Sequence, residues 1–191
     1  MTNSVFLIID VINDIVHPKG KLTCFTETEE YTSYMKNINL AIRKSTNENT
    51  KIILSNVRFS KDYSELPYNS PIFSWVKSVN ALVKNTWGSE NVELLESSNV
   101  EKVFEKNAIN PFSNEKLVRY IHDNNITHLY IAGVSTRWAV ESCVRSAHDL
   151  NLKVTILSDC CADASEIEHN NALSNCGVLG NVINVNEYVG K

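Results

Sequence analysis

Three positions in this chain carry residue types that could act together on a small molecule: Asp10, Lys106 and the run Gly133-Val134-Ser135-Thr136-Arg137-Trp138-Ala139. Each stands at or just past the end of a short apolar run. A carboxyl group beside an ammonium in a water-poor site is held in place and can exchange a proton with a bound molecule. A glycine between an apolar run and an amphipathic stretch reads as a strand-to-helix elbow. Elbows of this kind aim backbone N–H groups and the first helical side chains at a ligand.

The elements that must position these groups are legible as short apolar runs bounded by turn residues. Strands are expected at Val5 to Ile9, Lys51 to Val57, Val100 to Phe104, Thr127 to Ala132, Lys153 to Ser158 and Val182 to Val185. Helical periodicity covers Glu29 to Lys44, Phe73 to Val83, Asn114 to Asp123, Thr136 to Leu150 and Ser165 to Leu173. Strands alternating with helices specify the α/β class, with a mainly parallel sheet of about six strands covered on both faces. Ser113 is the expected N-cap of the third helix, and Asp163 with Glu166 fits a capping box before the last. Segments 14 to 28 and 58 to 72 read as loops, and the second is long enough to be a binding loop. In an open parallel sheet ligands bind beyond the carboxyl ends of the strands, where Asp10, Lys106 and the Gly133 elbow all fall.

Composition narrows the class. The 191 residues suffice for one sizeable core, so residues 1–191 read as a single domain. Hydrophobic residues at 43% and charged residues at 21% are ordinary for a globular protein. A net charge of -4 without a basic stripe argues against nucleic acid, because the counterion-release contribution has no source. Five cysteines, an odd number, and an N-terminus without a signal-peptide pattern point to the cytoplasm. No apolar run approaches the ~20 residues of a membrane span, so no membrane partner is expected. A dinucleotide fold is disfavoured, since the turn after the first strand reads Asp10-Val11-Ile12-Asn13-Asp14 and has no glycine fingerprint.

The order and spacing of Leu7-Ile8-Ile9-Asp10-Val11-Ile12-Asn13-Asp14, Glu105-Lys106-Asn107-Ala108-Ile109-Asn110-Pro111-Phe112 and Ala132-Gly133-Val134-Ser135-Thr136 resemble the isochorismatase-like hydrolase superfamily. Thr86-Trp87-Gly88 and Ser158-Asp159-Cys160-Cys161-Ala162-Asp163 add to the likeness, which runs from Val5 to about Val185. The resemblance implies a Rossmann-like three-layer α/β/α sandwich and, in the amidase members, an Asp, Lys and Cys triad. There the Asp takes the thiol proton, the Lys orients the Asp, and the thiolate attacks a carbonyl. It also implies a non-proline cis peptide at Val134-Ser135, with the amides of Ser135 and Ala139 facing a developing oxyanion.

Asp10 and Lys106 match the first two places, while the nucleophile position holds Ala139. A covalent thiol route there is closed. Isochorismatases lack the cysteine too, and in them a carboxylic acid protonates a vinyl ether while water completes the hydrolysis. Three functions follow: a hydrolase working through Asp10 and Lys106 with water on a vinyl ether or C–N bond, a cysteine amidase inactivated by a Cys-to-Ala replacement, or a silent small-molecule-binding relative. Ile12 stands where many relatives have Gln. The metal ligands that nicotinamidase-type relatives carry after the second strand are replaced by Ser55-Asn56-Val57-Arg58-Phe59, so no metal or other cofactor is expected. Candidate substrate contacts are Asn13, Arg58, Phe59, Tyr68, Trp87, Arg137 and Trp138. Cys143 lies four residues past Ala139 on the same helical face and reads as a buried small hydrophobe, as do Cys160 and Cys161. The resemblance further implies a homo-oligomer, a dimer or tetramer.

Overall fold

A computed structural model describes residues 3–190. Six strands, β1 (Ser4–Ile9), β2 (Lys51–Val57), β3 (Val100–Lys106), β4 (His128–Val134), β5 (Lys153–Ala162) and β6 (Asn181–Ile183), form one sheet in the order β3-β2-β1-β4-β5-β6. All five pairings are parallel, so the sheet is wholly rather than mainly parallel. Burial on both faces explains why β1 reads as an unbroken apolar run: Phe6 and Ile8 pack on one side, Val5, Leu7 and Ile9 on the other. The first face is covered by α2 (Thr28–Asn47) and α7 (Val185–Val189), through Met35, Ile38, Ile42 and Tyr188. The second is covered by α4 (Glu115–Asp123), α5 (Glu141–Asp149) and α6 (Glu166–Gly177), through Leu117, Ile121, Val144 and Cys176. This is the three-layer α/β/α arrangement. A smaller apolar cluster, including Phe59, Tyr63, Phe73, Val76 and Leu82, sits past the end of β2 and involves the short α3 (Pro71–Ser78).

Helix ends follow one device. After α2, α3, α4 and α5 the chain turns through Asn49, Asn80, Asn125 and Asn151, each with φ between 51° and 59°. In every case the asparagine N–H and the next N–H reach back to two carbonyls of the last turn, as in Thr50 to Ser45 at 2.8 Å and Ile126 to Ile121 at 2.9 Å. Asparagine tolerates this left-handed conformation better than other residues with a Cβ, so it stops the helix and turns the chain toward the sheet. Asn80 is the reason that α3 ends at Ser78, although apolar periodicity continues to Val83.

Other boundaries differ from the sequence reading for local reasons. Asn114, not Ser113, caps α4, its Oδ1 accepting from the N–H of Lys116 at 2.8 Å. Ser165 caps α6, its Oγ accepting from the Glu168 N–H, and the expected Asp163–Glu166 box is absent. β6 stops at Ile183 because Asn184 and Glu187 form a capping box that makes Val185 the first residue of α7. Within the segment read as loop 14 to 28, a single helical turn forms at α1 (Asn13–Val16). No helix among the described residues is long and apolar enough to cross a membrane.

Candidate active site

The strand order reverses at β1 and β4, and the groups singled out by type stand at the carboxyl ends of these strands and of β3. Asp10 follows β1 directly with φ 56°, its N–H still donating to Ser55 O at 2.9 Å while its own carbonyl already accepts from Ile12. A short polar residue fits this left-handed position. Lys106 is the last residue of β3 and comes from two strands away to place Nζ 2.7 Å from Asp10 Oδ2. A second bond from Nζ, to Ala108 O at 3.1 Å, fixes the ammonium. Asp10 Oδ1 accepts from the Val57 N–H at 2.7 Å. Both side chains are buried, 4% exposed for Asp10 and 1% for Lys106. Burial pushes the Asp10 carboxyl above its ordinary value; the Lys106 ammonium and the Val57 N–H oppose this without cancelling it.

The elbow lies against Asp10 because Gly133 pairs with Ile9, the residue before it. A Cβ on Gly133 would stand 2.1 Å from Ile9 O, and φ there is 126°, so only glycine lets β1 and β4 approach this closely. The Val134–Ser135 peptide is cis. Thr136–Val140 is then wound as a wide π-helical turn, with the Val140 N–H reaching Ser135 O at 3.2 Å, before α5 begins. Helical structure thus starts at Thr136 as the pattern indicated, in a looser form. Ala139 presents its methyl group to the same cavity as Asp10 and Lys106.

Asp163 organises this elbow. Its Oδ2 accepts from Ser135 Oγ and, at 3.0 Å, from the Arg137 N–H, while Oδ1 faces Arg137 Nε at 3.3 Å as an ion pair. The side chain is buried, so these partners replace its water shell. Sequence reasoning assigned Asp163 to a helix cap and missed this role. The available signal was sheet adjacency: β4 and β5 pair with Val134 opposite Ala162, which sets Asp163 beside Ser135. His169 supports the turn from α6, its Nδ1 lying 2.8 Å from Thr136 Oγ1, and burial holds its imidazole below the ordinary histidine value.

Asp10, Lys106, Asp163 and the elbow residues Ser135, Arg137 and Ala139 line a cavity of about 420 Å³, within the range of small-molecule sites. Of the residues expected there, Asp10, Lys106, Val134, Ser135, Arg137, Trp138 and Ala139 meet in its wall. Asn13, Arg58, Phe59, Tyr68 and Trp87 do not. Asn13 is buried and donates to Trp87 O at 2.8 Å. Arg58 is held by Ser89 O and Glu105, each at 2.9 Å. Phe59 is fully buried against Tyr63 and Phe73. Tyr68 is 94% exposed at the tip of its loop, and Trp87 packs edge-on against His17 in a separate depression. Strand-end position alone cannot tell a residue that faces the cavity from one that turns into packing. The apolar wall is instead supplied by Ile15, Leu22, Ile72, Phe73, Trp75 and Val76, from α1, the following turn and α3. For the α3 residues the signal was the Ser70-Pro71 start of an apolar helix.

The remaining cysteines are free thiols. Cys143, Cys160 and Cys161 are buried and their thiols are pushed far up by loss of water, which makes them packing residues. Cys24 lies in the cavity wall, and burial pushes its thiol up to about 12. No group of three or more His, Cys, Asp or Glu side chains among the described residues could hold a metal ion. The segment after β2, with Arg58 tied to Glu105 and Phe59 buried, does not fit a metal.

Comparison with known proteins gives concordant matches. The isochorismatase domain family matches residues 4–187. An isochorismatase family protein of Escherichia coli O157:H7, YecD, itself uncharacterised, is 27% identical over 126 residues, covering 64% of this chain and 63% of that protein. Among solved structures, an isochorismatase-like hydrolase from Alkaliphilus metalliredigens superposes with a TM-score of 0.81 at 22% identity, covering 99% of this chain and 98% of its own. An isochorismatase family protein from Desulfovibrio vulgaris gives a TM-score of 0.85 at 16% identity, covering both chains fully. A nicotinamidase from Bacillus subtilis gives 0.78 at 20% identity, covering 96% of this chain and all of its own.

Proposed function

Because the chain belongs to the isochorismatase family, we propose that it is a hydrolase of small molecules in which Asp10 is the acid/base group and water the nucleophile. The observation that carries this reading is the buried Asp10 carboxyl, raised above its ordinary value and held by Lys106, in a cavity where Ala139 offers only a methyl group. A carboxyl with a raised pKa holds its proton at higher pH and can give it to a leaving or enol-ether carbon or nitrogen. Lys106 then stabilises the carboxylate left behind, and water adds to the oxocarbenium or iminium carbon while its proton returns to Asp10. The resulting hemiketal or carbinolamine breaks its C–O or C–N bond, its hydroxyl proton passing to the departing oxygen or nitrogen, so a carbonyl compound and an alcohol or amine leave without a covalent enzyme intermediate. A vinyl ether or a C–N bond is the group on which such chemistry works. The elbow amides at Ser135 and Ala139 are the proposed donors to an oxygen of the bound molecule.

Ala139 supports a second reading, a cysteine amidase whose nucleophile has been replaced by alanine. One assay separates the two. This chain, Ala139→Cys and Asp10→Asn are tested against small amides and vinyl ethers. Turnover by the parent that falls as pH rises through the Asp10 pKa and vanishes in Asp10→Asn supports the water route. Amide turnover that arises only in Ala139→Cys refutes it.

A further inference from the structure

We propose that a lysine-lined depression, apart from the cavity of Asp10, is a binding site for a polyphosphate group, the chemistry shared by nucleotides and inorganic polyphosphates. It measures about 540 Å³ and gathers Lys19 and Lys21 from the turn after α1, Lys61 from the loop after β2, and Lys84 from the segment after α3. Lys21 also borders the Asp10 cavity. Among the described residues, Asp14 is the one carboxylate in the wall of the depression. Four ammonium groups against one carboxylate are a local excess of positive charge in a chain whose net charge is -4. Cations held together in this way repel one another, and a multivalent anion relieves that repulsion.

The acids nearby leave most of this charge unmatched. Among the described residues, the ammonium groups of Lys19 and Lys61 have no ion pair or hydrogen bond. Lys21 Nζ donates to a neutral partner in the same wall, Asn80 O, at 2.6 Å. Lys84 alone meets acids, Glu65 at 3.7 Å and Glu105 at 3.4 Å. Both are shared, since Glu65 also accepts from the Ser60 N–H and Glu105 from Arg58 at 2.9 Å. Asp62, beside Lys61 in the chain, is taken by Ser60 Oγ at 2.6 Å and the Ser64 N–H at 3.2 Å. Asp14 is buried, with Oδ2 accepting from the Leu82 N–H at 2.7 Å and Oδ1 3.4 Å from the Lys21 N–H. A Cβ on Gly88 would stand 2.1 Å from Asp14 Oδ2, so glycine lets the chain lie directly on this carboxylate.

The floor is built before any ligand arrives. Leu22 N–H donates to Asp14 O, Phe59 N–H to Leu82 O and Lys84 N–H to Phe59 O, each at 2.8 Å, which ties the three lysine-bearing segments to one another. Ordering is then left to the lysine side chains. A chain of phosphates spreads several negative charges over a length that lysines on different segments can share, each acting as a point charge with rotatable donors. Trp87, half exposed in the same wall, offers a flat apolar surface to a ring attached to such a chain.

Isothermal titration calorimetry of the full chain with pyrophosphate and with ADP, at low salt and without divalent metal, tests the site independently of turnover. Both probes should bind saturably, one per chain, with Kd below about 1 mM, and should weaken as salt is raised. Lys19 and Lys61 are exposed, so Lys19→Gln and Lys61→Gln should fold as the parent does, checked by an unchanged urea midpoint. Each should weaken binding about threefold to tenfold, and the double variant more than about tenfold. Lys36→Gln, equally exposed but on α2 and outside the depression, should leave affinity unchanged. Tighter binding of ADP than of pyrophosphate would support the site and assign it to nucleotides; equal or tighter binding of pyrophosphate would support it as a site for inorganic polyphosphate. No saturable heat from either probe at millimolar concentration, an unaltered Kd in the Lys19→Gln/Lys61→Gln variant, or an equal loss in Lys36→Gln would overturn the proposal.

Discussion

Breaking the Asp10–Lys106 pair from either side should cost far more than removing both groups. The two side chains are buried and 2.7 Å apart, and among the described residues Lys106 Nζ has only the Ala108 carbonyl as a further partner. Taking one member of such a pair away costs about 3–5 kcal/mol, because the other is left charged and dry. At about 2 kcal/mol per molar urea, Asp10→Asn should lower the unfolding midpoint by about 1.5–2.5 M. The double variant Asp10→Asn/Lys106→Met should recover at least about 2 kcal/mol relative to additivity. In Lys106→Met, Asp10 can escape by taking a proton.

The sign of the resulting pH dependence follows from the raised Asp10 pKa. The folded chain keeps a proton that the unfolded chain has released, so this stability is whole below the ordinary carboxylate value and is lost as pH rises through the folded one. Loss of Lys106 raises the folded value further. The cost of Lys106→Met should therefore grow with pH, by up to about 1.36 kcal/mol per unit, between the parent's folded pKa and the variant's. Urea unfolding of the three variants and the parent at several pH values measures all of this. Single-variant costs below about 1 kcal/mol, an additive double variant, or a pH-independent cost for Lys106→Met would refute the reasoning.

Gly133→Ala puts a Cβ 2.1 Å from Ile9 O at φ 126° and should destabilise by at least about 3 kcal/mol, read as a lowered Tm or loss of folded protein. Asp163→Asn keeps one acceptor under the elbow but loses the ion pair with Arg137; it should cost about 1–3 kcal/mol in unfolding free energy. In a turnover assay the same variant should reduce kcat about tenfold with KM little changed, since Asp163 acts through Ser135 and Arg137. Maleimide at neutral pH should modify at most Cys24 in the folded protein and all five cysteines after unfolding, counted by mass spectrometry.

The inner strands were legible because burial on both faces leaves nearly unbroken apolar runs, and the more exposed edge strands β3 and β6 were located from shorter apolar stretches. Their ends were less so, since boundaries depend on single caps such as Asn114, Ser165 and Asn184 that compete with neighbours of the same type. Asp10, Lys106 and the elbow could be picked out because strand ends in a parallel sheet converge. Direction is a different matter. Arg58 and Phe59 follow β2 as Asp10 follows β1, yet one turns to Glu105 and the other into the Tyr63–Phe73 cluster. That choice is made by tertiary partners that no local pattern records. Leu22, Phe73 and Trp75 reach the cavity from the turn after α1 and from α3, whose placement against the sheet is set by tertiary contacts.

Between Ile131 and Gly133 the pairing of β4 with β5 jumps from Ile156 to Cys161, so β5 spends five residues where β4 advances two. The slack decides where Asp163 emerges. Its arrival beneath Ser135 is set by chain length, and the side chains along Leu157 to Cys160 have little say in it. Substitutions and deletions in this stretch should then have separate fates in a mutational scan. Conservative replacements at Leu157 or Cys160 would be absorbed as packing changes, whereas loss of one residue would carry Asp163 out of reach of both Ser135 and Arg137. A bulge that leaves no mark on composition thereby makes the elbow sensitive to the length of the strand that delivers Asp163.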